Sequence, residues 1–320
     1  MRRLPRLPAL LLGLSVIPTA LWSLPARAGQ PAPDAVEDLC MNSRASLDEM
    51  DRGCSAIIAA GEARGRRLAV AYCNRGHVRT ERKTYHDALA DLEEAIKIDP
   101  TYACSFSNRG RALAFLKEYD KAIASYDEAI RLDPGFALAY NNRGDSWRHK
   151  GDLDRAIADF FAALKINPNY LLALDNRGDA WHRKRQFDRA LADYNAVIAE
   201  APKAAMVYLR RGDVYRDMEK LDRAAADYGK VVELIPEDAR GWRNRGLVRL
   251  MNNQIKAAIA DYDEAIKRDP ADAYSYNNRG QGRLRVGDRK GAIADFRMAL
   301  KLHPGLETVT RGLKDLGETP

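Results

Sequence analysis

An Asn-Arg-Gly triplet, or a close variant of it, returns every 34 residues along this chain. Its glycines are Gly76, Gly110, Gly144, Gly178, Gly212, Gly246 and Gly280, six equal steps with no insertion. A fixed period of this length marks an array of small units rather than one globular core. Other positions keep the same beat. Twelve residues after each glycine comes an alanine, from Ala88 to Ala292, and four further on a large apolar residue: Leu92, Tyr126, Phe160, Tyr194, Tyr228, Tyr262 or Phe296. Three beyond these stands Ala or Val, and a proline, from Pro100 to Pro304, closes each unit. Spacings of three and four place apolar residues on one helical stripe, and small residues let two helices approach closely. Each proline falls where a helix would lose a hydrogen bond and clash. The unit therefore reads as a helical hairpin. One hairpin cannot bury its apolar face alone, so neighbours stack and share a continuous core.

This pattern resembles the tetratricopeptide repeat (TPR). With the glycine as position 8, the family's aromatic position 4 holds Tyr72, Phe106, Tyr140, Tyr208, Trp242 and Tyr276, with Leu174 in the fourth repeat. Position 11, aromatic in the family, holds Trp147, Trp181 and Tyr215, but Leu113 in repeat two and Arg79, Arg249 and Arg283 elsewhere. The resemblance implies an all-α fold, a right-handed superhelical solenoid of helix-turn-helix hairpins, with seven tandem repeats over residues 69–306. Residues 29–68 are expected to form a tail and a degenerate capping hairpin, with an irregular Gly/Arg-rich loop from Gly61 to Arg67. Residues 307–320 are expected to supply a capping helix and tail, since Leu306, Val309, Leu313 and Leu316 keep helical spacing.

Composition points to export. Arg2, Arg3 and Arg6 open the chain, an apolar stretch from about Leu7 to Leu24 follows, and Ala26, Arg27 and Ala28 form a small-x-small cleavage pattern. Residues 1–28 are expected to be a signal peptide, and the mature chain to be exported to a periplasm or secreted. The formal charge of +7 suggests an acidic partner at first sight. Four of the arginines and none of the acids lie in residues 1–28, so the mature chain carries only +3. That balance gives no support to nucleic-acid binding, which rests on clustered Lys and Arg. No later stretch is long enough to span a bilayer.

An arginine occupies position 7 in every repeat, from Arg75 to Arg279, and Asp occupies position 23 in all but the second, where Ser125 stands. Each Arg is expected to fork onto the Asp of its partner helix. A feature repeated at every period is architectural, because a ligand site normally breaks symmetry. Four cysteines in an exported chain are compatible with two disulfides, for which three pairings exist. Cys40 with Cys54 and Cys73 with Cys104 is the preferred set. Cys73, His77 and Cys104 could also suggest a metal or small-molecule site, but no fourth ligand or paired Cys-x-x-Cys accompanies them, so no metal or cofactor is assigned. No nucleophile elbow, phosphate loop, zinc-protease motif or dinucleotide fingerprint is present, and no enzyme activity is expected.

In the family, positions 2, 5, 6, 9, 12 and 13 of each first helix line the concave surface and commonly receive a protein or peptide segment. Position 6 is Asn in six repeats, including Asn142, Asn176, Asn244 and Asn278, with Arg210 in the fifth. Amides suit a bound chain, and suit cross-links between neighbouring helices equally well. The middle of the groove is charged, with Asp145, Asp179 and Asp213 expected to pair with Arg148, Arg183 and Arg216 along their own helices. Repeats five to seven supply Met206, Leu209, Leu247, Leu250, Met251 and Leu284, with Arg243 beside them. If exposed together, these make an apolar patch. The expected function is a non-catalytic scaffold for a protein or peptide partner in the cell envelope; a non-catalytic subunit of an envelope enzyme or secretion complex is the alternative. The oligomeric state and the partner's identity are not legible.

Overall fold

The computed structural model of the chain describes residues 39–42 and 44–319. The expected signal peptide and most of the expected tail lie outside them. Every regular element among the described residues is a helix. The helices α1 Leu47–Ala60 and α2 Gly65–Glu81 lead into an alternating series. It runs through α3 Tyr85–Ile98, α4 Ala103–Phe115, α5 Tyr119–Leu132, α6 Ala137–His149, α7 Leu153–Ile166, α8 Leu171–Arg183 and α9 Phe187–Glu200. It continues with α10 Ala205–Asp217, α11 Leu221–Leu234, α12 Ala239–Met251, α13 Ile255–Arg268, α14 Ala273–Arg285 and α15 Arg289–Leu302, and ends with α16 Glu307–Asp315. Even-numbered helices from α2 to α14 are the first helices of the seven repeats, and the odd-numbered ones that follow are their partners. The helix α2 starts at Gly65, so the expected irregular loop is shorter than its composition suggests: Arg66 is held by an ion pair to Asp99 and by Thr101, which anchors that first turn.

The prolines act through the residue before them. Asp99, Asp133, Asn167, Ala201, Ile235, Asp269 and His303 end the second helices with φ between −141° and −129° and ψ between 73° and 95°. A following proline excludes the α region for these residues, so the helix stops there. The turn inside each hairpin uses a left-handed residue at position 15, filled by Gly151 and Gly287 but also by Lys83, Lys117, Arg185, Glu219 and Asn253.

The glycine at position 8 exists for the ring at position 24. A Cβ on Gly178 would lie 2.7 Å from the Tyr194 ring, and one on Gly144 would lie 2.8 Å from Phe160. Tyr126, Tyr194, Tyr228, Tyr262 and Phe160 are all fully buried over these glycines, and with the alanines at positions 20 and 27 they form the hairpin core. Val309 and Leu313 of α16 close that core at the far end, against Phe296.

The arginine ladder is formed. Arg75, Arg143, Arg177, Arg211, Arg245 and Arg279 reach Asp91, Asp159, Asp193, Asp227, Asp261 and Asp295 with Nη2–Oδ1 distances of 2.6–2.7 Å. Nε donates to the second carboxylate oxygen, so each contact is a fork. The same guanidiniums lie 4.9–5.5 Å from the position-4 rings wherever position 4 is aromatic. In the fourth repeat, where Leu174 takes that position, Arg177 stacks instead on Phe161 of the preceding hairpin at 4.2 Å. Several also bridge backward: Arg143 to Asp127, Arg211 to Asn195 and Arg279 to Asp263, all at 2.6–2.7 Å. One side chain thus ties three helices. The arginines at position 11 have a place in this scheme, because Arg79, Arg249 and Arg283 donate to Asp91, Asp261 and Asp295 as second partners at 2.7–2.9 Å. In repeat two, Arg109 has the Ser125 hydroxyl at 3.0 Å in place of the carboxylate, and burial pushes its pKa down.

Candidate functional site

First helices of neighbouring repeats touch each other, whereas second helices of neighbouring repeats make no comparable contact. The first helices therefore line the inside of the curve. Hydrogen bonds between them run from one repeat to the next: Asn108 Nδ2 to Cys73 Sγ at 3.2 Å, Asn176 Nδ2 to Asn141 Oδ1 at 3.0 Å, and Arg148 Nη1 to Asp179 Oδ2 at 2.9 Å. Of the two roles open to the position-6 amides, these contacts show cross-linking for Asn108 and Asn176. Asn142 and Asn278 accept from the preceding amides, Asn141 and Asn277, at 3.1 and 3.0 Å. Asn244 is half-buried.

The charged middle is a connected lattice. Arg148 pairs with Asp145 at 2.5 Å, Arg183 with Asp179 at 3.0 Å and Arg216 with Asp213 at 3.1 Å, along single helices as their spacing predicts. The lattice also crosses repeats, which spacing within one helix does not show. Arg210 pairs with Asp175, and His182 Nε2 lies 2.8 Å from Asp217 Oδ2. Asp217 is held below the ordinary carboxylate value, because its contacts to His182 and Arg216 outweigh its burial. From beneath, Tyr228 donates to Asp213 at 2.7 Å. Between repeats two and three, Arg111, Phe115, Tyr119, Tyr126, Asn142, Asp145 and His149 surround an open cavity of about 340 Å³.

At the apolar end the packing decides between exposure and burial, which spacing leaves open. Leu209 and Leu250 are only 7% and 4% exposed, because the stacking of successive hairpins closes over them. Leu284 packs against the C-terminal cluster of Phe296, Val309 and Leu313. Met206 and Leu247 are half-buried, Arg243 is tied to Asp272 at 3.2 Å, and Met251 stays exposed. Of these six apolar side chains only Met251 is exposed, so the patch they would make if exposed together is not formed. Exposed apolar side chains stand instead at position 2 of repeats three and four, Leu138 and Leu172. Lining up position 2 by the repeat puts both on the groove side, but their exposure is set by the packing.

Cys40 and Cys54 are joined, with 4.7 Å between their Cα atoms. Cys73 and Cys104 are not, which corrects the expected second bridge. Burial and the neighbouring Cys104 push the Cys73 thiol up to about 12, and Cys104 is raised by burial too. A thiol held protonated is neither a good nucleophile nor a good metal ligand. One turn along, His77 lies 3.4 Å from Arg111, which also pairs with Glu81 at 2.5 Å. Burial and Arg111 lower the His77 pKa below 6.5. The folded chain then binds fewer protons than the unfolded chain between that lowered value and 6.5, so stability rises with pH across this window. Denaturation midpoints measured above and below about pH 6.5 are expected to show this loss on acidification, and His77→Gln is expected to flatten it.

Among the described residues no helix is long and apolar enough to cross a membrane. Models of the Tetratricopeptide repeat family match residues 69–102, 107–170 and 209–273, together about half of the chain. No curated protein matches at a significant level. Among solved structures, a tetratricopeptide repeat protein from Parabacteroides merdae is similar at 18% identity and TM-score 0.58, over 77% of this chain and 97% of that one. PilF of Pseudomonas aeruginosa is similar at 16% identity and TM-score 0.59, over 67% of this chain and 97% of that one. YrrB, a TPR protein with an unusual peptide-binding site, is similar at 18% identity and TM-score 0.51, over 59% and 97%. At these identities the likeness concerns the fold alone. The 34-residue hairpins, the position-8 glycines under position-24 rings and the family matches together make this chain a member of the tetratricopeptide repeat family.

Proposed function

We propose that this chain is an exported, non-catalytic scaffold that holds a segment of a partner protein against the first helices of repeats three to five. The TPR fold supports a role in protein–protein interaction. One observation carries the choice of face. Most of the molecule repeats, but at the groove positions of three consecutive first helices, α6, α8 and α10, five aspartates stand among four arginines, where the other four first helices carry a single acid, Glu81, and the arginines Arg111, Arg240, Arg243 and Arg285. A surface that departs from the period is where a ligand site is expected. YrrB, which shares the fold, is described as having a peptide-binding site. Export is supported by the basic and apolar start of the chain and by the Cys40–Cys54 bridge, which persists in oxidising compartments. A mature chain beginning at Gly29 would be seen by intact-mass measurement.

The groove is tested in the cell. A photo-crosslinking residue placed at Asn176 or Arg183 is expected to trap a defined partner, whereas the same residue at Ala196 on the outer helix α9 is expected to trap none. Asp179→Arg is expected to abolish the Asn176 crosslink. Equal trapping from inner and outer positions would remove the assignment.

A further inference from the structure

We propose that the cavity at the joint of repeats two and three is a small-molecule site for an aromatic carboxylate, a free organic acid with one flat ring. This goes beyond the partner reading and does not rest on it. The cavity opens where the repeat is broken. Position 12 is Ala114 here, but Arg148, His182, Arg216, Leu250 and Leu284 in the five repeats that follow. Those longer side chains span the joint: Arg148 and His182 reach Asp179 and Asp217 of the next first helix at 2.9 and 2.8 Å. The methyl group of Ala114 cannot, and a space of about 340 Å³ is left beside it. That volume lies within the range of small-ligand pockets, which begin at about 300 Å³. The walls come from the turn and the second helix as well as from first helices, since Lys117 of the turn and Tyr119 and Tyr126 of α5 line it.

The unused polar groups around this space are donors. Tyr126 is 1% exposed, and among the described residues its hydroxyl has no hydrogen-bond partner. Tyr228, its counterpart in repeat five, donates to Asp213 at position 9, but in repeat two position 9 is Arg111, which offers no acceptor. The unpartnered hydroxyls of Tyr194 and Tyr262 are enclosed, whereas Tyr126 lines the cavity. Burial raises the Tyr126 pKa, so the group stays a neutral donor. Asn142 accepts from Asn141 through Oδ1, which leaves its amide hydrogens for a ligand. Lys117 forms no ion pair among the described residues, and Arg111 adds a second cation, shared with Glu81 at 2.5 Å. The acid on the wall, Asp145, is taken by Arg148 at 2.5 Å, with His149 at 3.6 Å. Donors beside cations call for an anion with several acceptor sites, and a carboxylate is one.

Rings supply the rest of the wall. Tyr119 and His149 stack with centroids 5.2 Å apart and planes 3° from parallel. Phe115, 50% exposed, stacks on Tyr85 at 5.5 Å. A further ring packs on such pairs edge-to-face or offset. Position 13, which provides Phe115 and His149, holds Arg183 and Asp217 in the next two repeats, so the aromatic wall ends at this joint. A space of about 340 Å³ takes one substituted ring and excludes a length of chain.

The test titrates benzoate into the mature full-length chain and follows binding by NMR. Saturable one-site binding is expected, at least roughly tenfold tighter than that of benzyl alcohol, which keeps the ring without the charge, or of acetate, which keeps the charge without the ring. Tyr126→Phe removes a hydroxyl that bonds to nothing in the folded chain. It is expected to leave thermal unfolding unchanged and to weaken benzoate roughly tenfold. Ala114→Arg gives repeat two the side chain that repeats three and five carry at position 12, so it is expected to keep the fold and abolish benzoate binding. Absence of saturation, or saturation untouched by both variants, overturns the site. Equal binding of benzyl alcohol or acetate overturns the aromatic carboxylate as its ligand. A short peptide ending in phenylalanine with a free carboxylate, if it bound tighter than benzoate and was blocked by Ala114→Arg, would make the cavity a receptor for chain ends and overturn the free acid. The partner groove is decided separately, by the crosslinks from Asn176 and Arg183.

Discussion

Asp261→Ala is expected to lower the free energy of unfolding by about 3–5 kcal/mol, the range for removing one partner of a buried ion pair. Asp261 is 2% exposed and accepts from two guanidiniums at once, Arg245 and Arg249, each at 2.7 Å. Among the described residues Arg245 pairs with no second carboxylate. The residue that receives the backward bond of Arg143 or Arg279 is an aspartate, but in this repeat it is Gly229. Removing the carboxylate therefore leaves two cations facing each other over an apolar core. Loss of the rim carboxylate in Asp127→Ala, half exposed and the third partner of Arg143, is expected to cost less than about 1 kcal/mol. Urea titrations of the two variants distinguish the cases. A cost for Asp261→Ala as small as that for Asp127→Ala would mean that the ladder is decoration on a fold held by apolar packing alone. Because stability in a solenoid sums over repeats and their interfaces, the Asp261 variant is also expected to broaden the transition as repeat six uncouples from its neighbours.

Gly144→Ala and Gly229→Ala are the same chemical change and are expected to have opposite signs. Either gains roughly 1 kcal/mol of helix propensity. At Gly229 the new Cβ would meet nothing closer than Arg245 Nη1 at 3.9 Å, so the gain survives and the protein becomes more stable by up to about 1 kcal/mol. At Gly144 it would sit 2.8 Å from Phe160 and 3.0 Å from the Ala156 carbonyl oxygen. Phe160 is fully buried and cannot swing aside, and the carbonyl belongs to the partner helix. Overpacking of this kind costs about 1–3 kcal/mol before the propensity gain is set against it, and with the backbone involved the upper end applies. A net loss near 2 kcal/mol follows. Thermal unfolding of both variants beside the parent checks the pair. A stabilised Gly144→Ala would show that the two helices can separate there without loss.

Much of this fold is written in period. The glycines, position-24 rings and prolines recur at a single spacing, and that spacing specifies hairpins whose stripes face one another. The forks from Arg75 to Asp91 and from Arg279 to Asp295 are legible for the same reason, since two helices of one hairpin have a known relation. The in-helix pairs of Asp145, Asp179 and Asp213 are legible from a spacing of three or four. Legibility ends at contacts between repeats. Spacing puts Leu209 and Leu250 on the groove side of their helices, but how tightly successive hairpins close decides that they are buried. The thiols of Cys73 and Cys104 lie on adjacent first helices, yet the Asn108 amide engages the Cys73 sulfur.

By itself the sequence determined that this chain is a one-dimensional stack of helical hairpins, because each period repeats the residues that end, pair and pack a helix, and those choices are local. Only the tertiary structure decided which groove side chains remain available, leaving Leu138 and Leu172 in the open and taking Leu209 and Leu250 into the core. The reason is physical: availability depends on the approach and curvature of neighbouring units, which arise from interfaces summed along the array and not from any one repeat.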